Sequence, residues 1–405
     1  MLSTPLIIYR GSSFRTGMVG DARMEKNAST GMAVLYFVVF VSFLDTHAQM
    51  PILASYSSEL GATPFVIGLI VGIYSFTSII GNGVSGVVID RSGWRLPLVV
   101  GLLFASISLF GYALAPDTST LLAVRAVHGI AGGLLIPATL MAISSICDPE
   151  ELRGRMARYG VVIGTAAFLG PMFAGMFASA EGFRSTYLVL ATLMMICFVI
   201  VLISLRLIPC DKGIKKVAST PLRFTPFLII SFLAAFATMG ATGTLVSHVP
   251  VHGASIGLDS ARIGMAFGSF ALLAIITQMA WPRLIAKRVT PIYGCITGII
   301  FMAMALATVP FTSSSITLVL CMALFGTGFG TVFPNMLMLV HSGEVGNRGR
   351  MMAVFFVFYS LGVAIVPPVA GYLYQYQGLI PTFTSMAFCI VIVPSIILIS
   401  RRYQG

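Results

Sequence analysis

Long apolar runs, separated by short polar, glycine-rich or proline-rich breaks, set the pattern of this chain. A helix that crosses the hydrocarbon core of a membrane needs about 20 predominantly apolar residues. Runs of about this length fall into two sets of six, at 32–54, 64–89, 97–115, 119–146, 157–179 and 186–206, and then at 224–249, 262–281, 291–311, 315–341, 351–375 and 380–400. The pattern therefore predicts an all-α polytopic membrane protein with twelve transmembrane helices.

The composition excludes a soluble fold. Hydrophobic residues make up 57% of the chain, charged residues make up 9%, and the mean hydropathy is +0.97. Water could not solvate a domain of this composition, so the chain belongs in a lipid bilayer. Because the bilayer core offers no hydrogen bonds to the backbone, every span must be a helix or part of a closed barrel. The apolar runs are long and free of gaps, which favours helices.

Basic residues indicate the orientation of these spans. With the N-terminus placed inside, 21 of the 24 Lys and Arg residues fall in cytoplasmic segments, as membrane proteins prefer. One missed span would invert every later loop and destroy this bias. We therefore predict a multi-pass protein of the plasma (inner) membrane with both termini in the cytoplasm. The bias also accounts for the net charge of +11, so no nucleic-acid partner is expected.

The spans divide into two halves around a basic connector. We predict a cytoplasmic N-terminal tail at 1–30, a six-helix bundle at 31–206, a cytoplasmic connector at 207–223 and a second six-helix bundle at 224–405. The six cysteines are scattered and suggest neither a disulfide framework nor a metal site.

The two halves repeat each other in sequence. The fourth span contains GIAGGLLIPATLMAISS and the tenth contains GTGFGTVFPNMLMLVHS, with two glycines and a proline at the same offsets. The loop after each of them repeats RGRM, at 153–156 and at 348–351. Glycines four residues apart also serve plain helix packing. Their matching order in both halves nevertheless indicates duplication. Two pseudo-symmetric bundles are typical of transporters that rock one half against the other.

Two charged residues lie deep within the predicted spans, Asp45 in the first and Arg125 in the fourth. At mid-membrane each costs about 2.5 to 3.5 kcal/mol unless it pairs or faces a cavity. At 1.5 Å per residue, both lie about 10 Å below the outer boundary. We predict that they are partners across a cavity and that they couple transport to protons. The alternative is a structural ion pair that locks the two helices together.

Three polar residues are candidates for the wall of the substrate cavity. Gln49 lies one turn beyond the buried acid, His128 lies close to one turn beyond the buried base, and Asn335 follows Pro334 at a predicted helix break in the tenth span. For Gln49 a hydrogen bond to a neighbouring helix is an equal alternative. His128 could also relay a proton, and a hydrogen bond between helices is an equal alternative for it. His47 points away from the acid on the helix, so we expect a packing or hydrogen-bonding role for it.

The stretch GVVIDRSGWRLPL, between the second and third spans, carries a recognisable arrangement of small, acidic and basic residues: Gly86, Asp90, Arg91, Gly93 and Arg95. It resembles the cytoplasmic signature of the major facilitator superfamily. The resemblance implies that this loop is a gate latch, with its acidic group facing the N-terminus of a helix in the other half. A helix N-terminus carries partial positive charge, so such a contact is physically sensible.

Other motifs are similar to those of the twelve-span, proton-coupled drug and small-molecule exporters of that superfamily. FLDTHAQMPIL resembles their first-span motif, and LLAVRAVHGIAGG resembles an Arg-x-x-Gln-Gly motif in which His replaces Gln. AAFLGPMFAGMF resembles a Gly-Pro motif associated with antiporters, through Gly170, Pro171 and Gly175. Alanines replace two further glycines of that motif. The resemblance implies the major facilitator fold and favours export.

These observations predict proton-coupled export, by alternating access, of a small amphipathic or cationic molecule. Asp45 would bind the proton and the substrate, Arg125 would tune it, and the C-terminal half would supply an apolar cavity wall. The expected partners are a small-molecule substrate, protons and the lipid bilayer; the protein would act as a monomer and need no cofactor beyond the proton gradient.

Two alternatives use the same fold: uptake of a sugar or other metabolite, and export of an endogenous zwitterion such as a metal-chelating metabolite. An intramembrane enzyme is disfavoured, because the five histidines are dispersed and only one acid is deep. A channel would need neither duplicated halves nor a gate latch.

Overall fold

The computed structural model describes the backbone of residues 18–145, 149–205, 225–284, 289–341 and 348–402. These residues form α-helices and one 3₁₀ turn: α1 (Met18–Glu59), α2 (Pro64–Ser92), α3 (Arg95–Leu114), α4 (Thr118–Ser145), α5 (Pro149–Ser204), α6 (Pro226–Ser255), α7 (Ser260–Leu284), α8 (Pro291–Thr308) with the 3₁₀ turn Val309–Phe311, α9 (Ser315–His341), α10 (Arg348–Gln377) and α11 (Leu379–Arg402).

Helix α5 supplies two of the twelve spans. It contains 56 residues and would extend about 84 Å if it were straight, far more than a bilayer is thick. Gly182 interrupts it with φ 82° and ψ 169°, a conformation that only glycine adopts readily. The part before Gly182 packs on α1 and α7, while the part after it packs on α3. Counting α5 twice, the eleven described helices give the twelve predicted spans.

Most helix ends lie within a few residues of the predicted spans, and the differences are local. Helix α1 begins at Met18, inside the segment predicted as a tail, while residues 1–17 lie outside the described part of the chain. The connector predicted at 207–223 also lies outside it. The helix break predicted at Pro334 is wrong, because α9 continues through this residue. A proline removes one backbone donor, and neighbouring helices in a membrane tolerate that loss.

The two halves have separate hydrophobic cores. One core is built from residues between Met32 and Val201, the other from residues between Leu228 and Ile390. The repeated glycines allow a close helix crossing in both halves. A methyl group at Gly129 would lie 2.3 Å from a backbone oxygen of α2, and one at Gly326 would lie 2.2 Å from a backbone oxygen of α7. The repeat thus encodes equivalent close helix crossings, α4 on α2 and α9 on α7.

The halves contact each other closely along α2 and α10. A methyl group at Gly68 would lie 2.3 Å from the carbonyl oxygen of Pro367, and one at Gly371 would lie 2.2 Å from that of Pro64. Helix backbones approach this closely only where glycine leaves room. All of these residues lie near the predicted extracellular ends of their helices.

A second close contact joins α5 to α7, at the same predicted end. A methyl group at Gly175 would lie 2.4 Å from the Ser260 carbonyl oxygen, and one at Gly264 would lie 2.5 Å from that of Pro171. We call the two contacts together, α2 with α10 and α5 with α7, the outer seam. It closes the predicted extracellular side of the molecule.

At the predicted cytoplasmic end the same face of α2 is uncovered. Eighteen residues make five full turns, so Gly86 and Asp90 lie on the face that Gly68 and Gly72 present to α10. Gly86 is exposed, a methyl group there would meet no described atom within 4 Å, and Asp90 is exposed as well. The structure is therefore closed at the outer seam and open along this face at the opposite end.

Candidate functional site

The deep acid of the first span lies inside a hydrogen-bonded network. Asp45 is 4% exposed on α1, and both of its carboxylate oxygens are engaged. Gln49 Nε2, one turn further along the helix, donates to Oδ1 at 2.7 Å, and His128 Nε2 on α4 lies 3.1 Å from Oδ2. The carboxylate thus has a partner on its own helix and another across the helix interface.

The deep base of the fourth span belongs to the same network. Arg125 is 8% exposed, and its Nη1 donates both to the Gln49 side-chain oxygen and to the Tyr112 hydroxyl, the latter at 3.3 Å. Its Nε donates to the carbonyl oxygen of Ile70 at 3.3 Å. The guanidinium carbon also lies 4.4 Å from the centre of the Tyr74 ring, within cation–π range.

Tyr112 closes the network into a ring. Its hydroxyl lies 2.9 Å from His128 Nδ1, while His128 Nε2 faces the carboxylate. We call the five side chains, Asp45, Gln49, Arg125, Tyr112 and His128, the charge ring. Nothing in the sequence analysis singled out Tyr112, because a lone tyrosine in an apolar helix carries no special signal. Its depth in α3, near that of Arg125, is the one feature that could have identified it.

Two chains of hydrogen bonds, which we call the arms of the charge ring, lead from Arg125 to Asp45, and in both of them each group donates toward the acid. Arg125 can only donate and an ionised Asp45 can only accept. Along one arm, Gln49 accepts from the guanidinium and donates to the carboxylate. Along the other, Tyr112 accepts from the guanidinium and donates to His128, which in its neutral form donates onward from Nε2. Every bond has a donor and an acceptor when the acid is ionised and the histidine is neutral.

Asp45 and Arg125, predicted to be partners across a cavity, belong to one network without direct contact. Within the described residues no nitrogen of the guanidinium lies within 4 Å of the carboxylate. Their similar depth brings them into one network, and the side chains between them bridge the remaining gap. Gln49 and His128, predicted as cavity residues, are these bridges, and they are 2% and 1% exposed.

Close packing of α4 on α2 positions the base. A methyl group at Gly129 would lie 2.1 Å from the Thr77 hydroxyl, and one at Gly132 would lie 2.2 Å from the Tyr74 hydroxyl. The Tyr74 ring also meets His128 edge to face, with centroids 5.3 Å apart. Glycines on α4 therefore bring α2 close enough for its backbone and its tyrosine to hold Arg125 and His128.

The antiporter-type motif lies between the charge ring and the outer seam. A methyl group at Gly170 would lie 2.9 Å from the Leu44 carbonyl oxygen on α1, directly before Asp45 in the chain. The next residues, Pro171 and Gly175, pack against α7 of the other half. One short segment of α5 therefore contacts both the helix that carries the acid and the interface between the halves.

Other predicted site residues lie elsewhere. Asn335 is 1% exposed, donates to the Thr331 carbonyl at 2.7 Å on its own helix, and packs where a methyl group at Gly294 would meet it. These are the contacts of a helix-packing residue, and its place in a substrate cavity stays a prediction. His47 bonds the Phe43 carbonyl oxygen at 2.8 Å, as expected of a residue that points away from the acid.

The gate motif forms the end of α2 and the turn into α3. Gly93 has φ 86°, and its N–H caps α2 by donating to the Ile89 carbonyl oxygen. Asp90 and Arg91 are exposed, and the Arg95 guanidinium lies 5.8 Å from the Trp94 ring centre. The motif thus shapes the turn, while its acid is exposed in this open arrangement. Its role as a latch stays a prediction.

The C-terminal half places an aromatic cluster among α6, α9 and α10. It consists of two groups that meet at the neighbouring residues Phe358 and Tyr359. Phe232 stacks on Phe358 with centroids 5.4 Å apart, while Phe333 stacks on Phe329 at 6.0 Å and meets Tyr359 edge to face at 6.3 Å. All five contribute to the C-terminal core or pack against it. Met50, the neighbour of Gln49, also packs against that core, so the core reaches α1 beside the charge ring.

Replacing Gln49 with methionine is expected to destabilise the fold, because Met has similar length and cannot bridge the two charges. An unpaired buried polar group costs about 1–3 kcal/mol, and charged groups cost more. We expect the free energy of unfolding in detergent to fall by at least about 2 kcal/mol. Gln375→Met, at an exposed position of α10, is the matched control. Equal stability of the two variants would contradict the bridging role.

Comparison with known proteins agrees with this architecture. A family model described as Major Facilitator Superfamily matches residues 35–343. Quinolone resistance protein NorA of Staphylococcus aureus is 28% identical over 148 residues, which cover 36% of this chain and only 38% of NorA. Multidrug resistance protein 1 of Bacillus subtilis is 24% identical over 372 residues, covering 87% of this chain and 91% of that protein.

Solved structures agree at the level of the fold. A POT family transporter in complex with a thioalcohol-conjugated peptide matches with a TM-score of 0.76 at 13% identity, over 92% of this chain and 96% of that one. The family match spans most of the chain and reaches from α1 through α9. The chain therefore belongs to the Major Facilitator Superfamily, whose members are membrane transporters and not enzymes.

Proposed function

We propose that the protein exports a small amphipathic or cationic molecule in exchange for protons. One observation carries this proposal, the closed charge ring in the N-terminal half, with its acid and base bridged by neutral side chains. Placing an ionisable pair in the interior of a membrane is unfavourable in free energy, so such a pair is a functional candidate by default. The quinolone resistance protein and the multidrug resistance protein to which the chain is similar support export, although NorA is matched over little more than a third of its length.

Protonation of Asp45 would disturb the ring in a specific way. A carboxyl group that carries a proton has a donor where it had only acceptors, so one of its two donors must turn away. The Gln49 arm cannot reverse, because its amide oxygen must stay on the guanidinium. The His128 arm can reverse, since an imidazole accepts at Nε2 once its proton moves to Nδ1. We therefore assign proton binding to the Asp45–His128 pair.

Protonation of Asp45 would also leave the positive charge of Arg125 without a counter-charge. With the acid neutral, Arg125 becomes a buried charge without a counter-ion, which is strongly unfavourable. A cationic substrate that competes for the ionised acid and a proton that neutralises it would therefore exclude each other. Mutual exclusion at one site is the requirement for antiport.

The aromatic cluster supports an amphipathic substrate. Aromatic faces attract flat apolar groups and cations. A molecule with an apolar body and a positive charge could meet the cluster of the C-terminal half and the acid of the N-terminal half across the space between them. Met, Phe and Gly are abundant in the spans, which disfavours a sugar.

The remaining parts of the proposal concern setting and assembly. We propose a multi-pass protein of the plasma membrane with both termini in the cytoplasm, as the distribution of basic residues predicts. The energy would come from the proton gradient without a cofactor, and the protein would act as a monomer, since each half supplies one wall of the cavity.

Export of a zwitterion is the second candidate. The ring offers an acid and a base in one buried network, and a zwitterion could pair with both. Such a substrate would displace both arms at once, so its transport would depend on Arg125 as strongly as on Asp45. A lipophilic cation would depend mainly on the acid.

Transport by reconstituted protein tests the proposal. Proteoliposomes with an imposed pH gradient would be given a flat aromatic cation, an amino-acid-like zwitterion and a neutral sugar. We expect the cation to move against its concentration when protons flow in the opposite direction. Movement of the sugar in the same direction as protons would replace export with uptake. Gradient-driven transport of the zwitterion alone would favour the second candidate.

A further inference from the structure

His248 is a buried histidine that the charge ring does not use. It lies on α6, about 10 Å from the predicted extracellular end of that helix at 1.5 Å per residue. Its side chain is 0% exposed, and within the part of the chain that the structure describes neither ring nitrogen makes a well-aligned hydrogen bond, although the Pro367 backbone oxygen lies toward the ring. Buried polar groups in native proteins almost always have a partner, so this one calls for an explanation.

The imidazole is packed beside the outer seam. The Tyr374 ring of α10 meets it edge to face, with centroids 5.4 Å apart. Tyr374 lies about one turn beyond Gly371, whose close contact with Pro64 forms part of the seam. Pro367 of α10 also lies toward the imidazole, and its carbonyl oxygen packs against Gly68 of α2. His248 therefore lies where α6 packs beside the contact between α2 and α10, which is part of the outer seam.

Within the described ranges, no charged side chain is positioned to compensate a proton on the imidazole. Asp259 and Arg262, at the start of α7, are exposed, and Cys321 of α9 donates to the Ala305 carbonyl oxygen. Among the described residues, the Pro367 backbone oxygen is the polar group that approaches the imidazole. The Tyr374 phenol is the titratable group that faces it from α10, and the adjacent stretches 64–73 of α2 and 379–388 of α11 contain no titratable residue. On α1, Tyr56 bonds the Tyr112 carbonyl oxygen within its own bundle, and Glu59 is exposed.

His252 provides an internal comparison on the same helix. It lies one turn nearer the predicted extracellular end, and its Nε2 is 3.1 Å from the Thr312 hydroxyl and 3.3 Å from the Thr312 carbonyl oxygen. A histidine with such partners is an ordinary packing residue. The two histidines therefore differ in the feature that matters, which is whether the ring nitrogens are satisfied while the outer seam is closed.

We propose that His248 is a proton-binding site of the outer seam, separate from the charge ring, and that its protonation opens the seam. A charged imidazole without a counter-ion is strongly unfavourable in the closed arrangement. Separation of α2 from α10 admits water to the ring and removes that cost. A proton taken from the extracellular side therefore favours the arrangement that is open to that side.

Distance measurements between spin labels test this proposal without any substrate. Labels at Ser119 and Gln377, exposed residues at the predicted extracellular ends of α4 and α10, report the separation of the halves. They would be placed in a variant whose six native cysteines are replaced. The pH would be lowered from about 7.5 to about 5.5, across the titration range of histidine. We expect the ratio of molecules with the longer distance to molecules with the shorter one to rise on the order of tenfold.

The variants separate His248 from every other titrating group. His248→Gln is expected to remove the response to acid, and His248→Phe, which keeps the edge-to-face contact with Tyr374, is expected to do the same. His252→Gln, the matched control, and Asp45→Asn, which removes the acid of the charge ring, are both expected to keep it. Acid-dependent opening in either His248 variant, or its absence in the parent protein, would overturn the proposal. Neither outcome bears on whether the charge ring drives export.

Discussion

Replacing Asp45 with asparagine is expected to reduce transport driven by a pH gradient to the level of vesicles without protein. The amide has the shape of the acid but carries no charge at any pH, so the ring loses the group that takes up the proton. It can still accept one hydrogen bond from Gln49 or His128. Exchange of labelled for unlabelled substrate across the membrane, which needs no proton movement, should continue, although affinity for a cation should fall.

The matched control comes from the other half of the molecule. Aligning the prolines of α1 and α6 puts Thr244 opposite Asp45, and in the structure this threonine is fully buried and bonded to the Gly240 carbonyl oxygen of its own helix. Thr244→Val should therefore retain gradient-driven transport. If Asp45→Asn also retained it in full, the acid would be a structural lock and proton coupling would have to lie elsewhere in the chain.

A measurement of pH dependence separates coupling from structure. A structural pair would be needed at every pH, so its loss would lower activity and stability uniformly. A proton-binding acid makes exchange depend on pH, and the Asp45→Asn variant should lose that dependence while it keeps measurable exchange. The unfolding temperature is expected to fall as well, because Arg125 then lacks a counter-charge.

The sequence was most informative where a residue was costly for its surroundings. Asp45 and Arg125 stand out because a charge in an apolar run has no place in lipid, and their depths predicted that they belong together. The spans were predictable for the same reason, since every break in the apolar pattern marks a loop that water must solvate. The glycine repeat was likewise visible, and the structure gives it a purpose in the helix crossings of both halves.

The neighbours across helices could not be predicted in the same way. Tyr112 is compatible with lipid, with a packed core and with a polar network, so its identity alone does not reveal a role. The bridging by Gln49 depends on the distance between α1 and α4, which depth does not determine. Asn335 was predicted to line a cavity because it is an amide that follows a proline. It packs against Gly294, and its place in a substrate cavity stays a prediction.

The sequence also does not predict which end of the molecule is open and which is closed in this structure. One sequence must serve every arrangement in a transport cycle, so it cannot indicate which of them a given structure represents. The Gly-Pro motif of α5 offers a physical link between them. Gly170 packs on α1 beside the acid, and Gly175 packs on α7 in the outer seam, so a shift of α5 would be felt at both places.

Replacing Gly68 with valine is expected to hold the outer seam open and to reduce transport by at least about fivefold. A side chain at this position would lie 2.3 Å from the carbonyl oxygen of Pro367, and a backbone atom cannot move aside as a side chain would. Forcing extra atoms into a packed contact costs about 1–3 kcal/mol, which changes the ratio of closed to open seam by about 5- to 150-fold. A transporter that cannot close on one side cannot complete its cycle.

Gly83→Val is the control on the same helix, because a methyl group at Gly83 meets no described atom within 4 Å. Both changes add the same β-branched residue to a helix and so carry the same intrinsic cost. The control should therefore transport within about twofold of the parent protein. The label pair at Ser119 and Gln377 should show the longer distance in Gly68→Val at neutral pH and the shorter one in Gly83→Val. The valine at Gly68 destabilises the contact between the halves and not the core of either bundle. Normal transport by Gly68→Val would therefore mean that the close approach of α2 and α10 is not a step of the cycle.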